Sequence, residues 1–216
     1  MADDAKRDKL IETKQAWARA GRLLTGKPDP DHALRLPPGQ RLVTNWPVLD
    51  LGVQPHVARD EWSLTIDGEV ENPRTLDWPA FRALPQFEDV SDIHCVTQWS
   101  RYDNAWKGVS TQAILDLVRP TERAAHVLLT SYDGYTTNVR LDHFSERDCL
   151  LAHTHDGEPI AREHGGPVRL VIPRYYFWKS AKWIKRISFL AVDKPGFWEV
   201  RGYHNVGDPW YEERYS

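Results

Sequence analysis

Residues 91–108 read SDIHCVTQWSRYDNAWKG and place one of only two cysteines directly after a histidine, in a run holding two tryptophans, a tyrosine and an arginine. The segment before Cys95, VSDIH, looks like the end of a short strand. The chain must then turn, into what reads as a polar loop, TQWSRYDN. Reactive and ligating groups concentrate on such loops. A thiolate there can serve as a nucleophile paired with a histidine or as a ligand to a soft metal. Cys149, in RDCLLAH at the end of an expected helix, reads instead as a small buried hydrophobe. Two cysteines so far apart make no disulfide framework, so both are expected as free thiols.

Working outward, short strands and helices alternate. Trp62, Leu64 and Ile66 alternate with polar residues in EWSLTIDG, and Asp67-Gly68 offers a turn. Helices are expected at DWPAFRAL and STQAILDLV, the second capped by Ser110 or Thr111. Strands resume at HVLLTSYDGYTTNVRL, VRLVIP and WIKRISFLAV. Upstream, residues 5–24 carry a helical stripe of Leu10, Trp17, Ala20 and Leu24, ended by Gly26 and Pro28. A Pro- and Gly-rich wrap follows. The pattern predicts an α+β fold: an N-terminal helix and wrap over 1–40, one mixed α/β domain over 41–195, and an aromatic tail over 196–216 packed on the domain.

Composition narrows the function. The chain of 216 residues can bury a sizeable core without disulfides. Its formal charge of −3 argues against a general nucleic-acid binder. No apolar leader and no membrane-length apolar run appears, which predicts a cytoplasmic protein with no membrane partner. Ten tryptophans call for large apolar walls with partners for their N–H groups. Against the acidic whole, HGGPVRLVIPRYYFWKSAKWIKR (164–186) carries six Lys and Arg and no acid. Alone, it could be a strand edge protected by lysines. It could also be a local phosphate site, with Gly165 and Gly166 allowing close backbone approach and Arg169 and Lys182 supplying charge. No Walker or dinucleotide glycine pattern is present. A zinc site from Cys149, His153, His155 and Asp156 lacks the usual four-ligand spacing.

Together, DIHCVTQWSRYDNAWKGVS, the DGY turn, LLAHTHDGEPIAREHGGPVRLVIP and KSAKWIKRISF resemble the molybdopterin-binding domain of the sulfite oxidase family, over about residues 40–195. The likeness is strongest to its small bacterial sulfite-oxidase-like and methionine-sulfoxide-reductase-like members. It implies one molybdenum-molybdopterin per chain, with Cys95 as the molybdenum ligand. It also implies cofactor contacts at His164 and Arg169, at Ser180, Ala181 and Lys182, and at Asn45 and Ser131. Arg101, six residues after Cys95, is expected to offer a cationic wall to the substrate, with Trp99 and Trp106 lining its mouth. The expected activity is oxygen-atom transfer on a small oxyanion or sulfoxide, with electrons exchanged through a separate protein, since no haem or flavin motif is seen. The chain shows no match to the family's dimerisation domain, so a monomer is expected. Two other classes stay open: a molybdopterin carrier without turnover, and a metal-free Cys95/His94 hydrolase.

Overall fold

The computed structural model describes residues 2–20 and 34–216. Helix α1 spans Ala2–Ala20. The expected run-on to Leu24 and the stop at Gly26 and Pro28 lie outside the described residues. The buried positions of α1 are Ile11 and Ala18, not the stripe read from the sequence; Trp17 stays 37% exposed. Among the described residues no helix is long and apolar enough to cross a membrane.

Two mixed sheets form the body. The first orders β1 (Arg41–Leu42), β5 (Trp99–Ser110), β8 (Leu150–His155) and β10 (Arg169–Val171), with β4 (Phe87–His94) also pairing with β5 and β9 (Glu158–Pro159) with β8. The second runs β3 (Arg74–Asp77), β2 (Ser63–Gly68), β11 (Ile184–Leu190), β6 (His126–Ser131) and β7 (Thr136–Arg140). In β2 the period of two sends Leu64 and Ile66 into the core, each with no exposed surface. Trp62 joins them and donates its indole N–H to the carbonyl of Ile184, 3.1 Å away.

Short helices link the strands where the sequence offers caps. Helix α2 (Trp78–Ala83) begins at Asp77, whose carboxylate accepts from Ala80 N at 2.8 Å. Helix α3 (Thr111–Val118) begins at Ser110, whose hydroxyl accepts from Ala113 N at 3.2 Å. Helix α4 (Leu141–Phe144) is a single turn that ends well before Cys149. Cys149 therefore lies at the entry to β8, not at a helix end. It is fully buried there, with its carbonyl accepting from Thr111 N.

Two further expectations change. β11 is central in its sheet, so the part of the basic run that it carries is no edge strand, whereas β10, which carries Arg169, ends the strand order of the first sheet. A register irregularity between Ile184 and Arg186 lets Lys185 and Arg186 both remain exposed on a paired strand. The supposed polar loop after Cys95 is mostly strand, because β5 already starts at Trp99.

Candidate active site

Cys95 sits at the tip of the β4–β5 hairpin. Its N–H donates to the Trp99 carbonyl at 2.8 Å, and its own carbonyl accepts from Gln98 N at 2.9 Å. Only Val96, Thr97 and Gln98 make the loop. Gln98 takes the left-handed conformation (φ 69°) that a three-residue hairpin loop needs at its last position. Gln40 donates to the Cys95 carbonyl at 3.2 Å and holds the turn from behind. The thiol is 6% exposed, and its sulfur lies 3.1 Å from the Thr97 hydroxyl. Burial pushes this thiol above its ordinary range, while Thr97, Lys14 and Lys182 pull the other way.

His94 does not serve that sulfur. Neighbouring residues of a strand face opposite sides, and His94 Nδ1 lies 2.8 Å from the Ser100 hydroxyl, with its ring edge towards Trp210. Burial holds it neutral, with a pKa near 4. A buried thiol with no histidine beside it lacks the activated pair that a cysteine hydrolase needs.

The sulfur opens into a cavity with about 930 Å³ of empty space, its mouth included. From the predicted set, Cys95, Ser131, Arg169, Ser180 and Lys182 line it. Ser131 ends β6, Arg169 starts β10, and Ser180 and Lys182 stand on the connection into β11. Arg169 is 1% exposed and donates to three carbonyls, those of His164 at 2.7 Å, Ser180 at 2.9 Å and Leu170 at 3.3 Å. No carboxylate compensates it, and burial alone drops its pKa to about 9. Lys182 donates to the Glu163 carbonyl at 2.6 Å; burial first, then Arg169, brings it to about 7. Asp50 and Asp133 act on Lys182 against that fall, whereas Arg169, held by carbonyls alone in a desolvated wall, is short of an anion.

His164 does not itself line the cavity; it stacks behind Trp46, which does, at 3.9 Å between ring centroids with planes 10° apart. Burial, then Arg169, lowers its pKa to about 4. Ala181 is buried, and its carbonyl accepts from Leu170 N at 2.8 Å. Asn45 points outward and is exposed, so the residue facing inward there is its neighbour Trp46. Gly165 and Gly166 serve the chain itself. A Cβ on Gly165 would meet the Lys182 side chain at 2.8 Å, and one on Gly166 the Ile160 carbonyl at 2.1 Å.

Arg101 falls outside the cavity. β5 carries it away from the turn, and its guanidinium is held by Asp156 at 2.7 Å, with Asn104 and His155 alongside. Trp106 is likewise packed, between Trp46 and His155. Trp99 lines the cavity. His155 and Asp156 are thus engaged with Arg101, while His153 faces Gln86 at 2.8 Å, so the drawn zinc set does not converge. The sequence reading missed Trp46 and Lys14. Trp46 carried a signal, as a tryptophan in the segment flagged through Asn45. Lys14 carried none, being one charge among many on α1.

A profile of the oxidoreductase molybdopterin-binding domain matches residues 51–198. The chain belongs to the oxidoreductase molybdopterin-binding family. It is 44% identical over 187 residues to the uncharacterized oxidoreductase YuiH of Bacillus subtilis (strain 168), covering 86% of this chain and 94% of that one. It is 28% identical over 162 residues to the protein-methionine-sulfoxide reductase catalytic subunit MsrP of Burkholderia mallei, covering 68% of this chain and 49% of that one. It is 27% identical over 177 residues to Arabidopsis thaliana sulfite oxidase, covering 66% and 45%. The chain thus spans under half the length of these last two relatives. Among solved structures, the sulfane dehydrogenase SoxCD of Paracoccus pantotrophus superposes with a TM-score of 0.59 at 18% identity, over 64% of this chain and 40% of that one. This likeness shows a shared fold. As a member of the molybdopterin-binding family, the chain is a molybdenum-cofactor oxidoreductase.

The residues present fit that cofactor. Besides Arg169, which no carboxylate compensates, three buried polar atoms at or beside the cavity have no partner in the protein: Ser131 Oγ, Trp99 Nε1 and His164 Nδ1. A phosphorylated, hydrogen-bonding pterin offers groups of the kind they lack.

Proposed function

We propose that the protein carries out two-electron oxygen-atom transfer on a small oxyanion or sulfoxide, with Cys95 as the ligand to molybdenum. The observation that carries this reading is the pairing of a buried thiol, fixed at a hairpin tip, with two buried cations, Arg169 and Lys182, held by backbone carbonyls in the wall of the same cavity. Bound there, the cofactor supplies a metal that exchanges an oxygen atom and two electrons with the substrate. The protein does the remainder. Arg169 and Lys182 would hold the pterin phosphate, and Ser131 would hydrogen-bond the cofactor. With the sulfur bound to metal as a thiolate, the Thr97 hydroxyl 3.1 Å away would donate to it and so tune that ligand.

The cavity that holds Cys95 and Thr97 is lined in part by indole and phenol side chains, among them Trp17, Trp99, Trp198 and Tyr203. They keep bulk water from the reacting atoms and strengthen each polar contact inside. Electrons pass to a separate protein, which the description of the Burkholderia relative as a catalytic subunit supports. The cytoplasm is the proposed location. Molybdenum and pterin analysis of the purified protein, followed by steady-state kinetics with sulfite and with a sulfoxide, tests the reading. About one molybdenum per chain with turnover of either class supports it. Bound cofactor without turnover of either class would mean a carrier, and no molybdenum would end the proposal.

A further inference from the structure

Cys95 faces the cavity, and the residue before it faces the other way. Neither His94 nor Trp210 lines the cavity; their rings meet edge-on, 6.4 Å between centroids with planes 74° apart. The imidazole is 5% exposed, and a chain of hydrogen bonds ties it to the backbone that carries the sulfur. Ser100 Oγ lies 2.8 Å from His94 Nδ1 and donates to Gln40 Oε1 at 3.3 Å, and Gln40 donates to the Cys95 carbonyl at 3.2 Å. A continuous path of bonds and ring contact therefore runs from the Cys95 sulfur through His94 to the indole of Trp210.

That indole reaches the surface. Trp210 is 42% exposed and Tyr211 80%, two consecutive aromatic residues in the tail, beyond the family match at 51–198. Acids flank them: GDPWYEER (207–214) holds three, against a single arginine. The arginine is turned in. In the 2.7 Å pair of Arg214 with Glu212 the guanidinium side chain is 12% exposed and the carboxylate side chain 52%, and Arg214 also donates to the Pro38 carbonyl at 3.2 Å. An exposed aromatic pair beside an outward carboxylate favours a partner whose contact face is basic. A second copy of the chain would set acid against acid.

We propose that Trp210 and Tyr211 form the docking surface for a small one-electron carrier protein with a basic rim around its redox centre, and that electrons cross by way of His94. The proposal rests on the reading of Cys95 as the molybdenum ligand. A contact between aromatic rings passes single electrons and not hydride, so each docking moves one electron between the cofactor and the carrier's centre. Two dockings balance the two electrons of one oxygen-atom transfer: the carrier is reduced when the substrate gains oxygen and oxidised when the substrate loses it. A carrier seated here leaves the cavity free for substrate.

Cytochrome c, a small basic haem protein, and its succinylated form, in which the lysines become acids, are the probes. Their affinity is measured by calorimetry at low and high salt for wild type, Tyr211→Lys and Val192→Lys, with molybdenum assayed on the same samples. Val192, 78% exposed and just past β11, receives the same added charge outside the tail. Electron passage is read separately, without substrate: wild type and Trp210→Leu are reduced with dithionite, freed of the excess and mixed with saturating ferric cytochrome c, and the haem absorbance is followed. The expected result is salt-sensitive binding of cytochrome c and none of the succinylated form, with a roughly tenfold loss of affinity in Tyr211→Lys and little change in Val192→Lys. Trp210→Leu keeps an apolar side chain but not the ring, and should slow haem reduction at saturation. No binding of cytochrome c to wild type, equal binding of both probes, equal losses in Tyr211→Lys and Val192→Lys, or an unslowed transfer in Trp210→Leu overturns the proposal. Absence of molybdenum from wild type overturns the reading of the site and the proposal with it, and the metal assay by itself tells that failure from the others.

Discussion

Lys179 and Glu199 form an ion pair 2.6 Å long with both side chains 2% exposed. Around it, Lys179 donates to the Asn138 carbonyl at 2.9 Å, and Glu199 accepts from Thr137 at 3.1 Å and Trp178 Nε1 at 3.0 Å. The pair fastens the C-terminal segment to β7 and to the connection that carries Ser180 and Lys182.

Removing one partner leaves the other charged and buried. Glu199→Ala is expected to cost about 3–5 kcal/mol of folding stability. A double variant, Lys179→Met with Glu199→Leu, should recover much of that loss. Urea denaturation of the single and double variants checks this; equal losses in both would show that the charges are not what couples the two segments.

Cys95→Ser should fold and retain pterin while losing turnover, because a hard, poorly ionised hydroxyl is a weak ligand for a metal that favours soft sulfur. Cys149→Ser, in the apolar core, should lower the melting temperature and leave molybdenum per folded molecule unchanged. Elemental analysis and kinetics on the two variants give opposite patterns if the thiols have these separate roles.

Arg169→Ala and Lys182→Ala should each lower cofactor occupancy, since each removes a charge-assisted hydrogen bond worth about 1.5–3 kcal/mol. Lys185→Ala is the comparison. Its ammonium is exposed, lying 5.4 Å from the Tyr132 ring centroid, and occupancy should not change. Pterin released by acid oxidation measures all three.

Four histidines, His94, His153, His155 and His164, are held near pKa 4 in the folded protein, in each case chiefly by burial. Each folded value lies below the unfolded one of about 6.5. Unfolding therefore takes up protons between these values, and stability is fully present above about pH 6.5 and lost as pH falls towards 4. The slope at pH 5 should correspond to about four protons. Denaturant midpoints from pH 7 to pH 4.5 report it, and replacing His94 by Gln should reduce the slope by about one proton.

Much of the fold was legible because local signals and tertiary demand agree. Asp77 and Ser110 cap the helices that their neighbours begin, and the alternation of Leu64 and Ile66 marks a strand with one buried face. The failures have physical causes. Ser100 and Asn104 looked like loop residues because they are polar, but each is fully buried with its side chain satisfied, Ser100 by His94 and Asn104 by the carbonyls of Ser91 and Arg101. Consecutive exposed bases at 185 and 186 looked like an edge because a strand irregularity cannot be seen in the sequence. Within the site, the basic loop and the cysteine stood out by residue type. Lys14 did not, since which side of a helix meets a cavity is decided by packing between segments far apart in the chain.

The three-residue loop after Cys95 gives the sulfur its direction by parity. Successive strand residues alternate sides, so one residue inserted into or deleted from Val96–Gln98, or a slip of one in the β4–β5 pairing, would exchange the positions of the thiol and the His94 ring. Side chains in that loop can vary in kind, but its length cannot. Substitution there should tune the site in steps, whereas a single-residue change of length should remove the sulfur from the cavity outright.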